Sequence, residues 1–341
     1  MMSMATPGAT RYLMRTPRLL VLLILLAVFS AVTSLLSGSV DTGWADLLAA
    51  LAGDSDSTTA VVIRELRWPR TAAAFTTGAL LATAGALMQV LLRNPLADPY
   101  VLGVSGGAAT GALLAMLFGL TTLWLHGAAF GGALLSMLLV FALAHGSGSW
   151  SSQRLLLTGV VVAAGWGALI GFLLAASPDQ GLRSMLFWLM GDLSFAGMPR
   201  AGAGVLTGGL LIAIALGRPL NILTHGERSA AALGVTVPAL RRLVYLLASL
   251  LTATAVTLAG NIGFVGLIVP HMLRLLGLRD HRILLPAAAL LGGSLLVVAD
   301  TLARSLLAPR QLPVGILTAL IGVPLFLALL WHGRGQSVER A

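Results

Sequence analysis

Side chains that could carry out covalent or metal chemistry are scarce in this sequence. Cysteine is absent, and all 21 basic residues are arginine, so lysine is absent too. The chain therefore has no thiolate nucleophile or thiolate metal ligand, no lysine for a Schiff base, and no Walker A lysine to hold nucleotide phosphates. ATP hydrolysis by a P-loop within this chain is excluded.

The six histidines do not form a metal-ligand motif. None of them shows His-Glu-x-x-His spacing, and most fall at the ends of apolar segments, where interfacial or helix-capping roles are expected. A membrane-embedded hydrolase would need a positioned nucleophile and base, or a metal. The sequence predicts neither a catalytic nor a metal site. The histidines are His126, His145, His225, His271, His281 and His332.

Arginines are the remaining candidates for recognition. Arg64, Arg67 and Arg70 lie close together before an apolar segment, with Glu65 and Pro69 between them. The planar, bidentate guanidinium suits carboxylate recognition when it is exposed. The alternative is that these arginines face lipid headgroups.

A second candidate is the long connection 218–242. Within it, residues 224–235 predict a short helix that ends at Gly234. This segment is either a solvated connector or a docking element for a soluble partner that supplies energy.

The elements that position these residues are predicted to be membrane-spanning helices. Hydrophobic residues make up 57% of the chain and charged residues only 10%, whereas soluble proteins carry about 25% charged residues. A span needs about 20 apolar residues. The predicted fold class is an all-α polytopic membrane protein with about ten transmembrane helices. The apolar segments are 19–36, 71–92, 101–118, 127–145, 155–176, 201–217, 243–259, 265–278, 283–303 and 313–331.

The distribution of arginine predicts the topology. Fourteen of the 21 arginines fall on proposed cytoplasmic segments, as the positive-inside rule requires when both termini are cytoplasmic. The predicted organisation is a cytoplasmic tail 1–18, a transmembrane domain 19–331 that includes the loop 218–242, and a cytoplasmic tail 332–341. We expect the first apolar run to be a retained helix rather than a cleaved signal peptide. Despite the net charge of +9, no basic cluster with interleaved aromatics indicates nucleic-acid binding.

Small residues and a helix break favour a transporter. Gly103, Gly107 and Gly111 repeat at four-residue spacing, which favours close helix packing over a role in lining a substrate path. The glycine-rich stretch 259–270 predicts a break between two short helices, a feature typical of transporters. The one acid in the predicted spans is Asp300. That scarcity argues against ion-coupled transport, and a stand-alone secondary carrier is the alternative function.

Ordered motifs carry a family resemblance. The chain contains Leu-Arg-Trp-Pro-Arg at 66–70 and Arg-Asn-Pro-Leu-Ala-Asp-Pro at 93–99, and further matches lie at 78–89, 100–108, 155–159, 188–191, 233–234, 263–271 and 312–315. Together they resemble the vitamin B12/iron-chelate permease family of ABC importers over about residues 60–330. Gln311 and Asn261 depart from the Glu and Pro that many relatives have.

The resemblance implies a type II ABC importer permease with ten helices per chain. It implies a homodimer in the bacterial inner membrane, two cytoplasmic ATP-binding subunits and a periplasmic binding protein. The chain would bind no cofactor, since ATP and Mg²⁺ belong to the partner ATPase. The cargo would be cobalamin, haem or a ferric siderophore, moved by alternating access, and the sequence does not choose among them.

The resemblance also implies roles for individual residues. ATPase coupling is assigned to Gly226, Glu227, Arg228, Leu233 and Gly234. Binding-protein docking is assigned to Arg67, Arg70 and Arg304. The translocation pathway is assigned to Thr158, Gly159, Val162 and Trp166, and a short outer helix to 187–191. The structural motif comprises Arg93, Asn94, Pro95, Gly103, Gly107, Pro270 and His271.

Overall fold

All regular structure in the described part of the chain is helical. The computed structural model describes residues 7–38, 42–53, 57–144, 152–194, 196–308 and 310–338. The α-helices are α1 (Pro7–Leu36), α2 (Trp44–Ala52), α3 (Thr58–Val61), α4 (Trp68–Leu91), α5 (Val104–Leu117), α6 (Thr122–Ala144), α7 (Ser152–Ala176), α8 (Asp179–Leu189), α9 (Arg200–Ala215), α10 (Gly217–Leu223), α11 (Glu227–Ala232), α12 (Val237–Ala259), α13 (Val265–Leu275), α14 (His281–Ser305) and α15 (Val314–Val338). A π-helical segment, Val62–Arg67, joins α3 to α4, and a 3₁₀ turn, Pro99–Leu102, precedes α5.

Each of the ten predicted apolar segments coincides with helical structure. Six helical stretches are long and apolar enough to cross a bilayer, and α9 with α10, bent by 59°, forms a seventh unit. The other three segments fall on shorter apolar helices, Val104–Leu117, Val265–Leu275 and Val314–Ala328. The all-α membrane fold is confirmed, while the number of complete crossings stays a prediction.

The helix boundaries differ from the predicted boundaries of the two tails and of the connection 218–242. α1 begins at Pro7 and α15 ends at Val338, so helices continue into both predicted tails. Residues 1–6 and 339–341 of those tails, and His145, lie outside the described residues. The connection 218–242 is largely helical, because it contains most of α10, all of α11 and the first turns of α12.

Helix α4 is the centre of the bundle, and small residues allow its neighbours to approach closely. A Cβ added to Gly78 would overlap the backbone carbonyl of Gly292 in α14, and one added to Gly85 would overlap the backbone of Gly266 in α13. In a membrane, such backbone approach supplies packing that lipid cannot drive. The backbone of α4 is therefore in direct contact with the backbones of α13 and α14 at these glycines.

The predicted glycine stripe in α5 has the same role. A Cβ on Gly107 would overlap the carbonyl of Gly132, and one on Gly111 that of Ala128, both in α6. Gly103 has φ of 69° and begins α5 after the 3₁₀ turn. The close-packing interpretation of this stripe is confirmed, and a side chain at Gly103 would also be strained.

The predicted break in the glycine-rich stretch is present at 260–264. Gly260 and Phe264 both have positive φ, 68° and 70°, and these residues separate α12 from α13. Pro270 lies inside α13, where it is buried. The break brings the backbone carbonyl of Asn261 and the side chain of Ile262 against Gly191.

Candidate functional site

Three arginines lie in one corner of the bundle with a buried carboxylate, and we call this group the Asp300 cluster: Arg67, Arg70, Arg304 and Asp300. Arg70 donates from Nε and Nη2 to the carboxylate of Asp300 at 2.8–3.1 Å. The Nε of Arg304 lies 3.2 Å from Asp300 Oδ2. Because Asp300 is 1% exposed, these charge-assisted contacts replace the water that the carboxylate would otherwise need.

The remaining donors of the cluster bind helix ends and nearby loops. Arg67 Nη1 donates to the carbonyl of Leu35 at 2.8 Å and to Thr42 Oγ1 at 2.6 Å. Arg304 Nη2 donates to Ser34 Oγ at 2.9 Å. The cluster thereby fastens α1, α4 and α14 together at one end of the bundle, and it satisfies the last carbonyls of α1, which have no partner within the helix.

The exposure expected of the docking arginines is wrong. Arg67 is 5% and Arg70 is 9% exposed, because both are used in contacts within the protomer. Arg64 and Glu65, in contrast, are exposed at this end and pair with each other at 3.2 Å. Docking by Arg67, Arg70 and Arg304 stays a prediction, and any such effect would act through their charge or after rearrangement.

Gln311, one of the two departures from the family pattern, belongs to the same corner. Its Oε1 accepts a hydrogen bond from Arg70 Nη1 at 2.7 Å. The cluster holds three guanidinium groups and one carboxylate, and Gln311 adds no charge. Gln311 therefore extends the hydrogen bonding of the cluster toward the start of α15 without supplying a counter-charge.

The predicted coupling residues form a second site at the start of α11. Glu227, in the first turn of α11, binds Arg241 of α12, and its Oε1 lies 3.3 Å from Arg93 Nη2. Arg93 follows α4 with a φ of 48°, unusual for a residue with a Cβ. The structure thus joins two groups that the sequence could only treat separately, the Arg93 motif and the coupling residues.

Backbone geometry shapes the rest of this site. Gly226 and Gly234 have φ of 108° and 82°, values that glycine adopts without strain, and they bound the predicted short helix. Leu233 is 69% exposed and Arg228 is also exposed. Asn94 stabilises the turn after Arg93 by accepting a hydrogen bond from the N–H of Leu96, and Pro95 is exposed in that turn.

A neighbouring polar group, which the sequence did not reveal, holds α10 against α14. Asn221 Nδ2 donates to Asp280 Oδ1 at 2.7 Å, and the backbone N–H of His281 donates to Asn221 Oδ1 at 2.9 Å. Burial acts to raise the pKa of Asp280, but hydrogen bonds from Asn221 and the Arg282 N–H lower it overall. Asp280 also caps α14, and an Asp immediately before an apolar helix is the signal that could have identified it.

The predicted pathway residues lie on α7, which is little covered in the protomer. Gly159 packs against the carbonyl of Val101, and Trp166 Nε1 donates to Ser136 Oγ at 2.9 Å. Thr158 and Val162 are partly exposed. Only 11% of the apolar window of α7 is buried, so most of this helix is available to lipid or to another chain.

Histidine placement gives no metal centre in the described part of the chain. No three His, Asp or Glu side chains come together among those residues. His271 lies on α13 with its ring edge-on to Phe326, the centroids 6.5 Å apart. His271 thus contacts α15 and Pro270 is buried, while their part in a structural motif stays a prediction. The predicted outer helix at 187–191 is the end of α8, which already begins at Asp179.

A polytopic helical permease is the class of protein that this fold and these sites define. Its long helices are apolar, its buried Asp300 is paired with arginine, and its exposed polar helix α11 is tied to the central helix. The chain belongs to the FecCD transport family, whose model matches residues 22–332. It is a multi-pass permease subunit of an ABC importer, with the type II architecture that the sequence predicted.

Named relatives and a solved structure place the chain within this family. It is 45% identical over 276 residues to the cobalamin import system permease protein BtuC of Halobacterium salinarum, covering 80% of this chain and 74% of the relative. It is 40% identical over 326 residues to the hemin transport system permease protein HmuU of Yersinia pestis, covering 93% and 95%. An inward-facing structure, described as a metal-chelate type ABC transporter, matches with a TM-score of 0.82 at 35% identity, covering 93% of this chain and 99% of that chain.

Proposed function

We propose that this chain imports a metal chelate across the bacterial inner membrane by alternating access. It would act as a homodimer, with two cytoplasmic ATP-binding subunits and a periplasmic binding protein, and with both termini in the cytoplasm. The names of the relatives support cobalamin or haem as cargo, and a ferric siderophore is the third candidate. The observation that carries the proposal is the attachment of α11 to the central helix through Glu227 and Arg93.

The coupling residues provide the link from ATP to movement. Arg228 is exposed on α11 and Leu233 is exposed just after it, where an ATP-binding subunit could contact both. A force on α11 passes through Glu227 to Arg93 at the end of α4 and to Arg241 in α12. Because α4 interlocks with α13 and α14 by backbone contact, these helices respond as a unit.

The Asp300 cluster supports docking of an acidic binding protein at the opposite, outer end. Arg64 presents an exposed guanidinium to solvent at this end, close to the guanidinium groups of the cluster. Complementary charge speeds encounter and fixes orientation more than it adds affinity. Arg67, Arg70 and Arg304 would then act mainly by their field and Arg64 by contact.

The uncovered face of α7 supports a second copy of the chain as partner. Its exposed apolar side chains include Leu157, Val161 and Phe172, next to Thr158 and Val162. Two such faces would enclose a path with apolar walls between the protomers. A bulky chelate could cross such a path without being held tightly, so specificity would reside mainly in the binding protein.

The pairing of Asp300 argues against the alternative of an ion-coupled carrier. Asp300, the one acid within the predicted spans, is held by Arg70 and Arg304. A carboxylate paired in this way is not free to exchange a proton or sodium ion.

Transport by the reconstituted complex tests the proposal. The chain would be placed in proteoliposomes with its ATP-binding subunit and binding protein, and uptake of cobalamin, haem and a ferric siderophore would be measured with and without ATP. We expect ATP-dependent uptake of one of them. Uptake driven by a proton gradient in the absence of ATP would refute the proposal in favour of a secondary carrier.

A further inference from the structure

The chain between α4 and α5 turns back into the middle of the bundle. A Cβ added to Gly266 would lie 2.8 Å from Pro99 Cδ and 2.9 Å from the carbonyl oxygen of Leu81. Leu81 is near the middle of α4, about 20 Å from its first residue at 1.5 Å per residue. Asp98 lies between two of the predicted spans, and its neighbour Pro99 is therefore close to a residue at mid-depth of a membrane-spanning helix.

Only one oxygen of Asp98 has a partner in the described part of the chain. Oδ1 accepts a hydrogen bond from the N–H of Tyr100 at 2.8 Å and so caps the 3₁₀ turn. No described residue donates a hydrogen bond to Oδ2. The carboxylate instead lines an open cavity of about 570 Å³.

The cavity combines polar groups from three parts of the chain. Asp98, Tyr100 and Ser105 come from the re-entrant turn and the start of α5, and Asn261 comes from the break between α12 and α13. The hydroxyl of Tyr100 accepts a hydrogen bond from the N–H of Ile262 at 3.2 Å, joining the two irregular segments. Apolar residues of α15, including Ala319, complete the wall.

Such a surface cannot face hydrocarbon. Irregular backbone at membrane depth occurs where it is buried in protein or lines a water-filled cavity, and a carboxylate exposed to lipid at this depth would be strongly unfavourable. The free oxygen of Asp98 therefore requires water or a polar ligand in the cavity. Transport also needs an aqueous path at this depth. One water-filled cavity would both solvate the Asp98 carboxylate and form part of that path.

We propose that Asp98 lies on the wall of the translocation pathway and that its free carboxylate oxygen accepts hydrogen bonds from the cargo in transit. The cargo groups that suit it are amide or hydroxyl donors at the rim of the chelate. In a homodimer, two copies of Asp98 would face the path. The pathway is then not uniformly apolar, and its polar groups come from the re-entrant turn and from the helix break. The role in transit rests on the proposed import function, whereas exposure of the cavity to water can be tested without it.

The lack of native cysteine allows water access to be measured directly. Single-cysteine variants Asp98→Cys, Ser105→Cys and Asn261→Cys would be reconstituted in the importer complex and treated with a charged methanethiosulfonate reagent. Matched controls are Leu138→Cys and Leu211→Cys, at apolar positions that are 56% and 64% exposed on α6 and α9.

We expect the cavity positions to react at least ~10-fold faster than the controls, since only a thiol in water forms the reactive thiolate readily. Equal rates would overturn the placement on an aqueous path. Ser105→Cys and Asn261→Cys retain the carboxylate, so the test holds even if Asp98→Cys does not assemble.

The cargo contact is tested by Asp98→Asn. Asparagine caps a turn about as well as aspartate, so this change removes the charge while retaining the cap. We expect the number of cargo molecules imported per ATP hydrolysed to fall about tenfold, as loss of one charge-assisted hydrogen bond predicts. Asp98→Glu is expected to restore part of the loss.

Asp46→Asn is the matched control for this experiment. Asp46 is also a capping aspartate, in α2, and lies away from the cavity. An unchanged import ratio in Asp98→Asn would overturn the cargo contact. Absence of uptake by the unaltered chain would refute the import function instead, and the labelling result would be unaffected.

Discussion

The Asp300 cluster makes a strong prediction about stability. In Asp300→Asn, two buried guanidinium groups lose their shared counter-charge, because both Arg70 and Arg304 bind this carboxylate. Breaking a buried ion pair costs about 3–5 kcal/mol, and the introduced amide can still accept one hydrogen bond worth about 1 kcal/mol. We therefore expect the free energy of unfolding to fall by about 2–4 kcal/mol.

The measurement is a detergent unfolding titration followed by the fluorescence of the seven tryptophans. Asp179→Asn, at an exposed position in α8, is the matched control and should change the free energy by less than about 0.5 kcal/mol. Adding Arg70→Gln to Asp300→Asn should cost less than the sum of the single changes, by about 0.5–3 kcal/mol. A loss below about 1 kcal/mol in Asp300→Asn, or strict additivity in the double variant, would refute the view that this pair is buried and coupled.

Three further changes test other parts of the molecule. Glu227→Arg places a third positive charge beside Arg93 and Arg241, and it should abolish ATP-driven uptake while the membrane fold is retained. Ser229→Ala on the same helix is the control. Normal uptake in Glu227→Arg would contradict the coupling role. Arg64→Glu should weaken binding-protein affinity about 2–5-fold at low salt and less at high salt; an unchanged affinity at low salt in a pull-down titration would contradict docking at this end. Gly78→Ala should lower the free energy of unfolding by about 1–3 kcal/mol because its Cβ meets a fixed backbone, whereas Gly204→Ala, which meets nothing within 4 Å, should not be destabilising.

Features that repeat along a helix were predictable from the sequence. The apolar segments, the glycine stripe at Gly107 and Gly111, and the break after α12 all follow from local composition. Each of these features depends on neighbours within a few residues. Local patterns therefore predicted most of the fold.

Contacts between distant segments were not predictable in the same way. Arg70 and Asp300 are 230 positions apart, so no local pattern indicated that Arg70 is already paired, and exposure was expected. The spacing of Asp300 and Arg304, four residues apart on one helix, was a local signal for part of the cluster. The pairing of Arg93 with Glu227 had no local signal at all.

The turn that contains Asp98 shows what composition does not reveal about a short polar segment. Its segment contains Pro95, Pro99 and Asn94, which are typical of an ordinary surface loop between two spans. The structure places Pro99 against Gly266 and Leu81 instead. Depth in a membrane is set by packing against other helices, and composition alone carries no information about that depth.

The contacts of α4 with α13 and α14 limit how the protein can change shape. Where one backbone rests directly on another, no flexible side chain lies between them to absorb a shift. Sliding of α4 past either neighbour would drive Cα atoms into carbonyl groups at once. Any opening and closing of the molecule must therefore take place at its looser outer helices or between whole chains, with these three helices turning as one rigid body.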